Sequence, residues 1–403
     1  MKIAFINSIY KSGSTGKIVL HLANGKSDND SCLVLYGRGD SSQDVESYKF
    51  GLDSETYLHA LSTRLFGVTG HGSRRSTRRL ISKLEEFKPD IVHIHEIHAY
   101  FLNYKLFFDY LKRINVPVVF TLHCQFNFTG RCGVSFECEK WKSGCGNCPH
   151  VRSYPKSLLF DFSKQMFSEK KRLFCSLNNA IVCSPSDWLL NQSKHSFLGK
   201  FEHRLVRNGI DTETFTFNSS SFIRSELRIP SDKKMVLTVA GDIFSDNKNG
   251  RCILDIAKDP RFQQCVFVLV GVKKRPKVTP QNVICIPSIA DQRKLSDYYS
   301  ASDLYLITSK SENYPTSCIE AACCGLPVVG FDVGGVKETI IDGAGEVVPF
   351  GDLEALSNAI LKTLSQPIGR EVLSKKACES FSKKRMVKEY YDIYYELVEK
   401  HNK

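Results

Sequence analysis

The sequence lacks any run of about 18 consecutive apolar residues, the length that a membrane-spanning helix needs. The apolar run at its start, residues 2–7, is too short for a secretory signal. We therefore expect a cytoplasmic protein. Internal repeats and low-complexity tracts are also absent, and a content of 42% hydrophobic and 24% charged residues predicts well-filled cores rather than disorder.

A nucleotide-binding P-loop is missing as well, although the segment IYKSGSTGKIV at residues 9–19 resembles one. The Walker pattern fails because Lys11 stands where a glycine is needed and Ile18 replaces the Ser or Thr after Lys17. Gly13 and Gly16 still let the backbone approach an anion at the start of the following helix. The alternative is a tight strand-to-helix turn with no ligand.

What the sequence has in excess is positive charge and cysteine. The formal net charge of +12 favours acidic partners, which are nucleic acid, an anionic membrane surface or phosphorylated substrates, and composition does not choose among them. Fifteen cysteines without a secretory signal indicate reduced thiols or metal ligands rather than a disulfide framework.

Short β-rich runs alternate with stretches of helical spacing in two series, which predicts two doubly wound parallel-sheet domains. We place the domain boundary near the Asn208-Gly209 turn signal. The predicted parts are residues 1–205, residues 206–385, and a C-terminal helix, residues 386–403, that packs back on the first domain. The predicted strands are Ile3–Ile6, Cys32–Tyr36, Ile91–His95, Val116–His123, Ala180–Cys183, Met235–Ala240, Val266–Gly271, Val283–Pro287, Leu304–Thr308 and Pro327–Phe331.

The segment from residue 307 to residue 340 carries the densest chemistry. A strand is followed by a loop with Glu312, by Pro315 at a helix start, and by Gly325 just past the helix end. This leaves the amides of Thr316, Ser317 and Cys318 unpaired at a positive helix terminus, where a phosphate oxygen fits. Glu320, two turns up the helix, can accept hydrogen bonds from a pair of sugar hydroxyls.

This segment resembles the retaining glycosyltransferases of the GT-B fold, family four. The E-x7-E spacing from Glu312 to Glu320, the A-x-x-x-G-x-P-V-V run and the D-x-G-G-x-x-E ending at Glu338 all stand in order. The resemblance extends over nearly the whole chain and is closest to members that make colanic acid or capsule. It implies two Rossmann-like domains facing a central cleft, an acceptor-side N-terminal domain and a C-terminal domain that binds the nucleotide sugar.

The resemblance also implies roles for single residues. Glu312 would contact the donor sugar, Glu320 the nucleotide ribose, and Lys248, in the loop VAGDIFSDNKNG, the leaving diphosphate. His123 would meet the donor sugar and phosphate. Further donor contacts are expected at Gly13, Gly16, Asn313, Tyr314, Thr316 and Ser317. The sequence differs from the usual family pattern at three sites. These are Asp242 in place of an arginine, Asn313-Tyr314-Pro315 in place of Gly-Phe-Gly, and Cys124 with Phe126 on the acceptor side.

The implied reaction moves a sugar from a nucleotide-diphosphate donor to a glycan or polyprenyl-linked acceptor, with retention and without a catalytic metal. Such an enzyme would serve bacterial capsule, exopolysaccharide or O-antigen synthesis. The alternatives are a GT-B nucleotide-sugar epimerase or phosphorylase, and a zinc-clustered nucleic-acid binder. The binder leaves the segment from Glu312 to Glu338 unexplained, so we expect no nucleic-acid partner.

Four cysteines in the loop 132–148 have a spacing that a structural zinc site can use. They are Cys132, Cys138, Cys145 and Cys148. The alternative is a set of reduced thiols in a loop folded by Trp141 and Pro149.

Two further motifs have both a structural and a functional interpretation. In HIHEIH, residues 93–98, His93 and His95 share one strand face, and a buried strand end explains them better than a catalytic zinc. Residues 72–88 predict a helix capped by Ser76 with arginines outward. That basic face is either simply solvated, or attracted to anionic lipid headgroups at the inner membrane surface or to a lipid-linked pyrophosphate acceptor.

Overall fold

The computed structural model describes residues 1–42, 46–219, 222–366 and 368–403, and it forms two compact units. Unit 1 comprises Met1–Arg207 together with Met386–Lys403, and unit 2 comprises Asn208–Arg385. Within these described ranges, no helix is both long and apolar enough to cross a bilayer.

Unit 1 contains a seven-stranded parallel sheet in the order β3-β2-β1-β4-β5-β6-β7. The first strand lies in the middle of the sheet and pairs with β2 on one side and β4 on the other, so Ile3 is opposite both Cys32 and Ile91. This is the switch point of a doubly wound sheet, where ligands bind beyond the carboxyl ends of the strands. The strands are β1 Lys2–Asn7, β2 Ser31–Tyr36, β3 Ser47–Lys49, β4 Ile91–Ile94, β5 Val118–Thr121, β6 Ala180–Ser184 and β7 Glu202–Leu205.

Helices cover both faces of this sheet. Alternate residues of a strand lie on opposite faces, and each face packs in its own apolar core. Polar caps start two of these helices, since the side chains of Asn103 and Ser186 accept hydrogen bonds from Leu106 N–H and Leu189 N–H. The helices are α1 Gly13–Asn24, α2 Asp53–Phe66, α3 Arg74–Phe87, α4 Tyr104–Ile114, α5 Ser163–Phe174 and α6 Asp187–Lys194.

Unit 2 contains a six-stranded parallel sheet in the order β10-β9-β8-β11-β12-β13, again with its first strand inside the sheet. The strands are β8 Lys234–Val239, β9 Cys265–Val270, β10 Val283–Ile286, β11 Leu304–Ile307, β12 Val328–Phe331 and β13 Gly345–Val348. The helices are α7 Phe222–Glu226, α8 Arg251–Ala257, α9 Gln292–Ala301, α10 Thr316–Cys323, α11 Leu353–Ser365 and α12 Arg370–Ser380.

The last helix, α13 (Lys383–Asn402), packs from Met386 onward in the core of unit 1. Two of its tyrosines reach strand residues, because Tyr394 Oη lies 2.5 Å from His93 Nδ1 and Tyr390 Oη lies 2.7 Å from Thr121 Oγ1. Buried hydroxyls need such partners, so this helix fits one position on the sheet.

The predicted fold of two doubly wound parallel sheets is confirmed. The sequence analysis missed β3, β7 and β13, which are short strands at sheet edges and carry little apolar signal. It also misplaced the start of α3. Ser76 lies inside that helix, and its hydroxyl and N–H donate to Glu55 of α2, while Ser73 is the capping position.

A buried histidine links α2 to the turn before α3 and makes unit 1 sensitive to acid. His59 Nε2 accepts the Gly70 N–H at 3.0 Å, and its Nδ1 lies 3.0 Å from Ser73 Oγ, whose hydroxyl donates to the Tyr100 carbonyl. This arrangement needs a neutral ring with its proton on Nδ1. Burial accordingly lowers the pKa of His59 from 6.5 to about 4.

We expect unit 1 to lose stability as the pH falls. The pKa of His59 is lower in the folded state than in the unfolded state. Its contribution to the free energy of unfolding is therefore complete above pH 6.5 and is lost as the pH falls through about 4. His59 should contribute a loss of about 1–2 kcal/mol between pH 7 and pH 5. Urea unfolding at both pH values measures it, and His59→Gln should show a smaller difference than the wild type. Equal differences in the two proteins would contradict the assignment.

Candidate functional site

Three loops at the carboxyl ends of β8, β11 and β12 are joined to one another in unit 2. Lys310 N–H donates to the Asn247 carbonyl at 2.8 Å, and the Asn247 side chain donates to the Ser311 carbonyl at 3.0 Å. On the other side, Gly335 N–H donates to the Glu312 carbonyl at 3.2 Å. These bonds hold the loop 240–250, the loop 308–315 and the turn after β12 as one rim.

Lys248 and Glu312 form an ion pair on this rim, with the ammonium donating to Glu312 Oε1. The Lys248 backbone is fixed by Thr308, whose hydroxyl donates to its carbonyl at 3.0 Å. Both charged side chains are half-buried. The two residues that the sequence analysis assigned to the diphosphate and the donor sugar are therefore in direct contact, and a cation is available at the strand ends.

The N-terminus of α10 lies on the same rim. Pro315 is its capping residue and provides no side-chain cap. In the part of the chain that the structure describes, the N–H groups of Thr316 and Ser317 have no hydrogen-bond partner. The third predicted donor is wrong, because Cys318 N–H donates to the Pro315 carbonyl at 3.1 Å. Two backbone donors, rather than three, are thus available at this positive helix end, where an anion can bind.

Glu320 is half-buried in α10 and accepts a hydrogen bond from Tyr299 Oη at 3.0 Å. Tyr299 is fully buried, and burial followed by the negative charge of Glu320 raises its pKa well above its usual value. The tyrosine therefore stays neutral and donates. It orients a carboxylate that is not sealed in the interior, which is compatible with a contact to ribose hydroxyls.

The loop between Glu312 and α10 corrects one prediction. Tyr314 is only 4% exposed, and its ring packs in the core of unit 2 against Phe381, at 6.4 Å between centroids. An aromatic ring at this position is drawn into the core by the hydrophobic effect, so its side chain does not provide the predicted donor contact. Asn313 is half-buried in the same loop.

In unit 1, histidines gather at the carboxyl ends of β4 and β5. His123 Nε2 lies 3.0 Å from His95 Nδ1, and the two rings stack at 5.3 Å. His123 follows the end of β5 by two residues instead of ending it. Burial lowers the pKa of His123 to about 4, so it acts as an uncharged hydrogen-bonding group near neutral pH. His93 and His95 are buried at the strand end, as the sequence predicts.

Sequence reasoning missed a polar cluster beside His123. Glu96 Oε2 accepts the Ser8 hydroxyl, and Glu96 Oε1 lies 3.8 Å from His98 Nε2. Burial alone would lower the pKa of His98, but the nearby Cys124 sulfur and Glu96 outweigh burial and raise it to about 9. The mixed apolar and polar pattern of HIHEIH was the available signal, and it reflects the place where the chain leaves the buried strand β4.

The segment at residues 13–17 forms the first turn of α1 rather than a loop. Gly13 has a φ of 66°, in the left-handed region that favours glycine. A side chain at Gly16 would lie 3.3 Å from Lys11 N, so Gly16 also serves close backbone packing. Both glycines thus lie at the N-terminal end of α1, the helix that follows β1, where the sequence analysis expected an anion.

The structure does not show the predicted zinc site. Among the residues that the structure describes, no group of three or more His, Cys, Asp or Glu side chains is arranged to hold a metal ion. Cys132, Cys138, Cys145 and Cys148 are free thiols, and Cys145 Sγ accepts the Gly130 N–H at 3.1 Å. Trp141 is buried against Phe128 at 5.1 Å. Aromatic packing thus contributes to the order of this loop, and zinc binding stays a prediction.

Solved structures share this architecture. The complex of HepE from Anabaena with UDP-glucose matches with a TM-score of 0.68 at 16% identity, covering 98% of this chain and 99% of that chain. Sucrose-phosphate synthase from Thermosynechococcus elongatus matches with a TM-score of 0.67 at 18% identity, covering 98% of each chain. The two Rossmann-like units and this likeness show the GT-B fold.

Sequence comparisons identify the group. The family model "Glycosyltransferase Family 4" matches residues 33–214, and "Glycosyl transferases group 1" matches residues 219–380. The chain belongs to the glycosyltransferases that these two models describe. It is 26% identical to the putative colanic acid biosynthesis glycosyl transferase WcaC of Escherichia coli K12, covering 83% of this chain and 82% of that protein. It is also 23% identical to a 41.2 kDa protein in the cps region of Klebsiella pneumoniae, covering 88% and 93%.

Proposed function

We propose that this glycosyltransferase moves a sugar from a nucleotide-diphosphate sugar to a hydroxyl of a glycan or lipid-linked glycan in surface-polysaccharide synthesis, with retention of the anomeric configuration. The observation that carries the proposal is the rim of unit 2, where Lys248 and Glu312 meet at the end of β11. The likeness to a colanic-acid enzyme and to a protein of a capsule region supports the pathway class.

Unit 2 supplies the groups that a departing diphosphate needs. Negative charge grows on the diphosphate as the bond to the sugar breaks. The Lys248 ammonium and the amides of Thr316 and Ser317 are fixed donors for that charge. A single preorganised donor typically lowers such a barrier by about 2.7–4 kcal/mol. Before a donor binds, Glu312 holds the ammonium in place, and the diphosphate would compete with Glu312 for it.

The remaining roles follow the family resemblance. Glu312 contacts the donor sugar, Glu320 contacts the ribose, and neutral His123 donates or accepts a hydrogen bond at the sugar and phosphate. The leaving phosphate takes the proton of the acceptor hydroxyl as that oxygen attacks from the same face. One bond to the anomeric carbon forms as the other breaks, so the configuration is retained.

We also propose that transfer needs no metal ion, because Lys248 and the helix terminus supply the positive charge at the diphosphate. In retaining glycosidases, two carboxyl groups flank the scissile glycosidic bond and lie about 5–5.5 Å apart. Here the partner of Glu312 is the ammonium of Lys248, so the pair acts through charge and position rather than as two acids.

The proposal is tested by thermal unfolding with a panel of nucleotide-diphosphate sugars in EDTA. One donor should raise the unfolding temperature, because a ligand that binds only the folded state stabilises it by mass action. Glu320→Gln should reduce the shift, whereas Glu226→Gln, on the surface helix α7, should not. Absence of any shift, or a shift that requires Mg²⁺, contradicts donor binding as proposed. Interconversion of the sugar without an acceptor would instead support an epimerase.

A further inference from the structure

An apolar surface on unit 1 has no partner within the described chain. Seven large apolar side chains are exposed in two short segments. Their exposed fractions range from 74% for Tyr57 to 45% for Phe66. They make up seven of the sixteen exposed large apolar side chains among the residues that the structure describes. We call them the apolar surface; its members are Tyr57, Leu58, Leu61, Phe66, Leu158, Leu159 and Phe160.

The two segments form one continuous surface. Leu158 N–H donates to the Arg64 carbonyl at 2.8 Å, and Leu159 N–H donates to the Leu65 carbonyl at 3.3 Å. The rings of Phe66 and Phe160 stack at 6.3 Å between centroids. The loop at residues 158–160 is therefore bound to the carboxyl end of α2 and extends its outer face.

Helix α2 is amphipathic, but its polar face is buried and its apolar face is exposed. Its buried face consists of Thr56, His59 and Thr63, which are polar, while its outer face presents Tyr57, Leu58 and Leu61. His59 is fixed by hydrogen bonds to Gly70 and Ser73, so this orientation is built into the fold. Solvated proteins seldom expose apolar side chains so densely without a binding partner.

Exposed cations accompany the apolar surface along the chain. They are Arg64 in α2, Arg74, Arg75 and Arg78 in the neighbouring α3, and Arg152 and Lys156 in the loop before residue 158. The acidic side chains of these segments are fewer than the cations, and each has a fixed hydrogen-bond or ion-pair partner. Glu55 accepts the N–H groups of Arg75 and Ser76, and Asp161 accepts those of Cys148 and Ser163. Asp53 pairs with Lys49.

This combination of apolar side chains and cations favours an anionic lipid bilayer as the partner. Apolar and aromatic side chains framed by Arg and Lys suit the boundary between headgroups and acyl chains of an anionic bilayer. A twofold contact with a second copy would bring two sets of arginines together, which like-charge repulsion opposes. We propose that the apolar surface of α2 and residues 158–160 inserts into anionic lipid bilayers and holds the protein at the membrane. This goes beyond sugar transfer and does not depend on it, since lipid binding needs neither donor nor acceptor.

Vesicle co-sedimentation of the full chain tests the proposal. The wild type should bind phosphatidylcholine vesicles with about one-third phosphatidylglycerol, and bind pure phosphatidylcholine much more weakly. Leu58→Ser with Leu159→Ser should weaken binding about tenfold or more. The matched control is Val278→Ser, because Val278 is 79% exposed in unit 2. Both leucines are exposed, so the variants should keep the wild-type unfolding temperature.

A second set of variants tests the charge. Replacing Arg74, Arg75 and Arg78 together by glutamine should weaken binding about tenfold or more, because each cation near an anionic surface contributes roughly 1 kcal/mol. The same change at Lys273, Lys274 and Lys277, which are exposed in unit 2, removes equal charge elsewhere and should change binding little.

Three results would overturn the proposal. The wild type could fail to bind the anionic vesicles, or the double leucine variant could bind as the wild type does. The wild type could also be a dimer without lipid that the leucine variant dissociates, which would make the apolar surface a contact between copies. Sugar transfer to a soluble acceptor should be equal in the wild type and the leucine variant, so failure here is separate from failure of the proposed function.

Discussion

Replacing Lys248 by methionine should lower kcat for sugar transfer about 100- to 1,000-fold, the usual cost of losing one preorganised donor. Methionine keeps the length and apolar stem of lysine but removes the charge that faces the diphosphate. The Lys248 backbone is fixed by Thr308, so the loop should keep its place. Initial-rate measurements over a range of donor concentrations separate the loss in kcat from any change in KM.

Lys310→Met is the matched control for this variant. Lys310 belongs to the same set of loops and is equally exposed at 32%, but its ammonium pairs with Asp246 rather than Glu312. The control should keep nearly full activity. Equal activity of Lys248→Met and the wild type would show that the ammonium of Lys248 does not stabilise the leaving group.

Gly334→Ala should abolish most activity through geometry alone. A methyl group at Gly334 would lie 1.7 Å from the carbonyl oxygen of Glu312, far closer than atoms can approach, so the Glu312 backbone must move. Moving a reacting group by about 1 Å can cost about 100-fold in rate. Gly334 also has a φ of 60°, which adds about 1–2 kcal/mol of strain for alanine. We expect a loss of at least about 100-fold in kcat, measured in the same assay.

Gly343→Ala separates the clash from the backbone strain. Gly343 has a φ of 77° and no atom within 4 Å of an added methyl group, so this variant carries only the strain. It should be less stable by about 1–2 kcal/mol in urea unfolding yet retain activity. If Gly334→Ala were as active as Gly343→Ala, the contact between the turn and Glu312 would have no part in the site.

The sequence predicted the sheets and the rim of unit 2 because their signals are local. Strands buried on both faces read as apolar runs, and the residues from Glu312 to Glu338 form a contiguous motif of strand, loop and helix. The pairing of Lys248 with Glu312 joins residues 64 positions apart in the sequence. Only the family resemblance indicated that these two residues lie close together, because it assigned both of them to the same donor.

The features that the sequence did not predict depend on tertiary contacts. Tyr314 is a plausible ligand contact until the core of unit 2 surrounds it. The cluster of Ser8, Glu96 and His98 assembles from the segments that follow β1 and β4, which are far apart in the chain. The packing of Trp141 against Phe128 in the thiol loop is likewise a tertiary contact that the spacing of the cysteines does not predict. The apolar outer face of α2 has the spacing of an ordinary buried face, and only the structure shows which side of the helix packs inward.

The most direct test of the account is a crystal structure of the chain with a bound nucleoside diphosphate. We expect the diphosphate at the rim of unit 2, within hydrogen-bond distance of the Lys248 ammonium and the Ser317 amide, with ribose hydroxyls on Glu320. A nucleotide bound away from this rim, or with its ribose turned from Glu320, would contradict the proposed donor site.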